Sequence, residues 1–148
     1  MTRTELSRTI DAPVGVVFST VADISNFSRA VPHIEHVEFL SETRTGVGAR
    51  FRETRLMGSR RATTELEVTE YVQDERVRFV SDAGGTIWDT IFTVEPDSDG
   101  RGTRLAMVME ARPHKLIARL TTPLMKSVIA KAIAADLDAV KACAEAAE

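Results

Sequence analysis

A chain of 148 residues, 43% apolar and 28% charged, has the length and apolar content for one packed core and is not a disordered polymer. A formal net charge of −3 excludes the basic footprint of a general nucleic-acid binder, and a lone cysteine, Cys143, excludes an internal disulfide and a cysteine-built zinc site. The opening MTRTELSRTI has no apolar run of signal-peptide length, and no window reaches the roughly 18 consecutive apolar residues of a membrane span, so a cytoplasmic protein without stable membrane insertion is expected.

Residues 2–10 alternate around Leu6, Arg8 and Ile10 and read as a first strand. Pro13 is well placed to open a helix, because its missing N–H would have no partner there. Val14, Val17, Phe18 and Val21 then form one apolar stripe at helical spacing. Asp23 is suited to cap a second short helix with Ile24, Phe27 and Val31 on its buried side, and Pro32 stops it. From Glu35 the period changes to two. The predicted strands are 35–42, 49–57, 60–72, 75–81, 86–95 and 103–111, separated by short breaks such as Gly58-Ser59 and Gly84-Gly85 that imply antiparallel neighbours. The GVG at 46–48 precedes a strand, so it reads as a turn and not as a phosphate cradle. Leu116 to Ala147 contains no glycine and carries Leu116, Leu120, Leu124, Val128, Ala132, Ala135 and Ala139 at helical spacing, with Pro123 expected to kink the helix or end its first segment.

The order is therefore strand, two short helices, six strands, long helix, in one unit spanning 1–148. A curved seven-stranded sheet has a concave face to cover, and one helix roughly 10 Å wide cannot fill it. With only eight aromatic side chains in the chain, the remainder of the hollow is expected to stay open as a pocket.

The stretch IDAPVGVVFSTVADISNFSRAVPHIEHVEFL, the GVGARF turn into the third strand and the ADLDAVKACAE ending resemble the START-like superfamily (SRPBCC, also called Bet v 1-like), and within it the polyketide cyclase/dehydrase and lipid-transport group. The resemblance covers essentially the whole chain. It implies an α+β helix-grip fold: a seven-stranded curved antiparallel sheet wrapped around a long C-terminal helix, with two short helices between strands 1 and 2. It also implies an apolar cavity for lipids, sterols, quinones or polyketides, and access gated by the loops beside the small helices. Phe27, Val31 and Leu116 to Leu124 are the predicted gate. No catalytic motif of the family is visible, so no catalytic residue is transferred.

Alternation selects the inward rows. They are Leu105, Met107, Met109 and Ala111; Ala62, Thr64, Leu66 and Val68; Val77, Phe79 and Ser81; and Trp88, Thr90, Phe92 and Val94, which leaves Ile87, Asp89 and Ile91 outside. On 49–57 either face carries charge. If Phe51 points inward, Glu53, Arg55 and Met57 follow, and the two charges need each other, water or a ligand head group; a bulge would instead put them at the rim. From the helix, Leu120, Leu124, Met125 and Val128 are expected to reach the cavity. Met57, Met107, Met109 and Met125 would give it adaptable walls, although methionines fill ordinary cores equally well.

Two function classes follow. The first is a binder or carrier of a hydrophobic small molecule, as monomer or homodimer, with Glu53, Arg55 or Thr64 at its polar end and no cofactor. The second is a cyclase or dehydratase with Glu53, or failing that His114, as general acid or base. A ligand-free interaction module is a third reading, which predicts a collapsed hollow. The five arginines from Arg50 to Arg61 read as a solvated strand face balanced by glutamates, and His33 and His36 point to opposite faces of a strand with no third metal ligand in view.

Overall fold

The computed structural model describes residues 1–147. Its elements are β1 (Thr2–Ile10), α1 (Val14–Ala22), α2 (Ile24–Ala30), β2 (Ile34–Phe39), β3 (Arg50–Met57), β4 (Arg60–Val72), β5 (Arg76–Ala83), β6 (Thr86–Pro96), β7 (Thr103–Pro113), α3 (Leu116–Thr121), a 3₁₀ turn (Thr122–Met125) and α4 (Lys126–Ala146). The seven strands form one antiparallel sheet in the order β1-β7-β6-β5-β4-β3-β2. This is the expected α+β helix-grip architecture. Among the described residues no helix is long and apolar enough to cross a membrane.

The first and second strands are the two edges of the sheet, so the chain must cross from one edge to the other between them. Helices α1 and α2 make that crossing. Asp23 caps α2, its side chain accepting from the Asn26 amide at 2.9 Å. Val17, Phe18 and Val21 of α1 are fully buried, with the Phe18 ring edge-on to Tyr71 at 5.4 Å. Register shifts in β2 at Ile34/His36 and in β4 at Val68/Glu70 add the local bends that help the sheet curl.

The β5–β6 hairpin turns through Gly84 and Gly85 alone, with φ of 63° and 83°. Positive φ at both central residues is what a tight two-residue hairpin needs, and glycine adopts it without strain. The Gly85 carbonyl accepts from the amides of His114 and Lys115 at 2.8 and 3.1 Å, which fixes the start of α3 beside this turn. Pro123 ends α3 as its chemistry requires. The turn that follows is held by Thr122, whose hydroxyl lies 3.1 Å from that of Thr86 in a buried pair.

Helix α4 lies across the concave face with Ile129, Ile133, Leu137, Val140 and Ala144 buried. On the convex face Asp89 is buried between two guanidinium groups. Arg78 Nε donates to it at 2.8 Å and Arg112 at 3.0 Å. The hydrogen bonds from Arg78 are the main reason its carboxyl is held below the ordinary aspartate value, with Arg112 adding to the effect. Leu137→Ala is expected to cost about 2–5 kcal/mol, because this fully buried side chain is a main apolar anchor of α4. Chemical denaturation of the variant measures it, and an unchanged midpoint would contradict this account of how the helix is seated.

Candidate functional site

A cavity of about 540 Å³ lies between the sheet and α4, within the usual range of ligand pockets, about 300–1,000 Å³. Its floor carries a chain of edge-to-face aromatic contacts, from Phe51 to Phe79 (6.0 Å), Phe79 to Phe92 (6.3 Å) and Phe92 to Phe27 (5.7 Å). Period-two alternation sends Leu66, Phe79, Trp88, Thr90, Phe92, Met107 and Met109 into the same space, with Thr64 beside them. Met57 and Met125 stand at its mouth, lining it while remaining partly exposed. The roof is one face of α4, where Val128, Ile129, Ala132, Ile133 and Asp136 recur at helical spacing.

Phe51 points inward and is buried, and Glu53 and Arg55 follow it into the hollow. Arg55 meets Asp136 of α4 in a bidentate pair, Nη1 to Oδ1 at 3.0 Å and Nη2 to Oδ2 at 2.9 Å. Its Nε donates to Glu53 at 3.3 Å. The carboxylates are well enclosed, with side-chain exposures of 13% for Glu53 and 7% for Asp136. Burial pushes the Glu53 carboxyl above its ordinary value; Arg55 pulls it back and Asp136 pushes it further up. Burial also works against the Arg55 charge, but Asp136 and then Glu53 outweigh it and keep the guanidinium firmly protonated.

Asp136 was absent from the sequence-predicted set. A signal for it existed: it lies three residues after Ile133 and seven after Ile129, on the buried stripe, and a carboxylate there needs a cation opposite. The structure places four predicted site residues outside the cavity lining. Val31 is buried but lies outside the cavity lining. Leu120 and Leu124 face solvent, with exposures of 69% and 81%. The reason is geometric: a strict repeat of four residues drifts about 40° per step on an α-helix, and Pro123 then breaks the rod. Leu116 and Ile117 are likewise exposed, so α3 buries only Ala118. His114 lies outside the lining as well, in an exposed pair with Asp82 at 2.8 Å. The basic face of β3 and β4 is balanced by glutamates: Arg52 pairs with Glu38 and Glu65, and Arg61 with Glu35.

The sequence matches the family described as polyketide cyclase / dehydrase and lipid transport over residues 1–145, and the chain belongs to that family. Solved structures with the same fold include a START superfamily protein from Mycobacterium smegmatis (TM-score 0.81, 12% identity, 99% of each chain covered). They also include TTHA0849 from Thermus thermophilus (0.80, 19%, 99% of each chain). A third is the Zhui aromatase/cyclase from Streptomyces sp. R1128 (0.80, 18%, covering 97% of this chain and 93% of that one). No curated protein sequence matches.

Removing Arg55 strands two enclosed carboxylates, so Arg55→Met is expected to cost about 3–5 kcal/mol. Adding Asp136→Leu to that variant should recover much of the loss, which chemical denaturation of both variants measures. Glu53 adds a pH signature. Its folded pKa lies above the unfolded one, so the stabilisation tied to its neutral form is complete below the ordinary value of 4.5 and is lost as pH rises through the folded pKa. Glu53→Gln has no such proton to lose. Its melting temperature relative to the unsubstituted protein should climb as pH rises from 4.5 through the folded pKa and level off above it, and a constant difference across that range would refute the assignment.

Proposed function

We propose that this protein binds and carries an apolar small molecule, of lipid, quinone, sterol or polyketide type, in the cavity beneath α4. The observation that carries the reading is the cavity itself, which is walled mainly by apolar and aromatic side chains and, among the described residues, has its charged groups gathered in one cluster. Burying about 300 Å² of apolar ligand surface supplies roughly 7 kcal/mol before ordering costs, enough for binding in the micromolar range or somewhat weaker. Membership of a family whose description includes lipid transport supports the reading. Ala132→Phe, which projects a ring from the roof into the hollow, is expected to reduce binding of a neutral apolar fluorophore at least tenfold. Native mass spectrometry of the unsubstituted protein is expected to show a co-purifying apolar species. Absence of any bound species, together with no probe binding, would overturn the proposal.

One observation favours a second reading, a cyclase or dehydratase. Glu53 is an enclosed carboxyl whose pKa burial has raised, and such a group is suited to giving or taking a proton near neutral pH. His114, exposed and paired with Asp82, has no comparable support. Turnover of a polyketide-like substrate that disappears in Glu53→Gln, with binding of the same compound retained, would establish this reading. Unchanged turnover in that variant would remove it.

The predicted gate takes a narrower form. Helix α3 and the turn after it, with little buried surface, are the segment we assign to movement at the mouth, while Val31 is part of the fixed interior. Amides of 116–125 are expected to exchange hydrogen much faster than those of β6 and β7. Equal protection would remove the gate.

A further inference from the structure

The charged lining of the cavity consists of three side chains among the described residues: Glu53 and Arg55 from β3 and Asp136 from α4. Their count is unequal, two carboxylates to one guanidinium. The guanidinium is also occupied. Its two terminal nitrogens face Asp136 at 3.0 and 2.9 Å, and its Nε faces Glu53 at 3.3 Å. The sequence alone left Arg55 to pair with Glu53, with water or with a ligand head group. In the folded protein it is taken up by the chain's own carboxylates, Asp136 foremost.

Resting on the carrier reading above, we propose that the cavity selects by charge an apolar ligand whose polar end is an uncharged hydroxyl or carbonyl, and that it excludes carboxylate and phosphate head groups. With Glu53 protonated, the cluster is neutral and presents one O–H donor, which a carbonyl or hydroxyl oxygen accepts. With Glu53 ionised, the cluster carries a net negative charge in a poorly solvated space, where a like charge is strongly disfavoured. In neither state does an incoming anion meet an uncompensated cation, and it must still shed its water to enter. Discrimination therefore comes from a repulsive element beside an otherwise permissive apolar wall. Thr64 and Thr90, which also line the cavity, offer hydroxyls that can donate to or accept from the same uncharged end.

The test compares two ligands of equal chain length, 1-decanol and decanoate, displacing the neutral fluorophore N-phenyl-1-naphthylamine at pH 8. Decanol is expected to bind at least tenfold more tightly than decanoate. Glu53→Gln, which leaves the Arg55–Asp136 pair and removes the surplus carboxylate, is expected to tighten decanoate severalfold and so to narrow the decanol-to-decanoate ratio. Decanoate binding as well as decanol, or an unchanged decanol-to-decanoate ratio in the variant, would overturn the proposal. If the fluorophore itself fails to bind, the carrier reading falls and this proposal with it, a result distinct from binding without discrimination.

Discussion

Arg55 of β3 and Asp136 of α4 meet across a space that apolar side chains otherwise leave open, and much of the molecule is arranged around that meeting. A guanidinium and a carboxylate taken from water hold together only with close, bidentate geometry. The sheet must therefore curl far enough to bring its third strand beneath the helix, and the helix must turn the right face downward. The apolar anchors Ile133, Leu137 and Val140 settle that rotation, and the ion pair then marks one register of rod against wall. Glu53 beside them makes the cluster unbalanced. That imbalance, and not the pair alone, turns a structural contact into a chemical preference.

Most of the architecture was legible because it follows from short-range rules. Proline at 13, 32 and 123, paired glycines at 84–85 and alternation along β4 to β7 each act within a few residues. The boundaries they imply fall within a few positions of those observed; β2, for example, runs Ile34–Phe39 where 35–42 was expected. The direction of Phe51 was left open by the sequence, because either face of 49–57 carries charge; in the structure the large ring turns inward, and Glu53 and Arg55 follow it into the hollow.

What escaped the sequence depends on relations between distant segments. Asp136 has no local signature beyond being a charge on an apolar stripe, and its meaning lies 81 residues away at Arg55. Leu120 and Leu124 failed for the opposite reason. Their spacing looked helical, yet a repeat of four is not a repeat of 3.6, and a small angular error accumulates until the side chain faces water. Val31 is buried as expected, but burial alone does not say which of two neighbouring spaces a side chain fills.

The attachment of α3 has a mechanical consequence. The residues just before it hang from the carbonyl of Gly85, and the turn that ends it is fastened to the hydroxyl of Thr86. A strap buckled twice to adjacent links cannot swing about either one alone. It must travel with the tip of the hairpin that holds it, or let go of one clasp. The oily outer surface of this strap and the lip of the chamber are thus joined as one piece, and any displacement of that piece must be accommodated at the two-glycine bend.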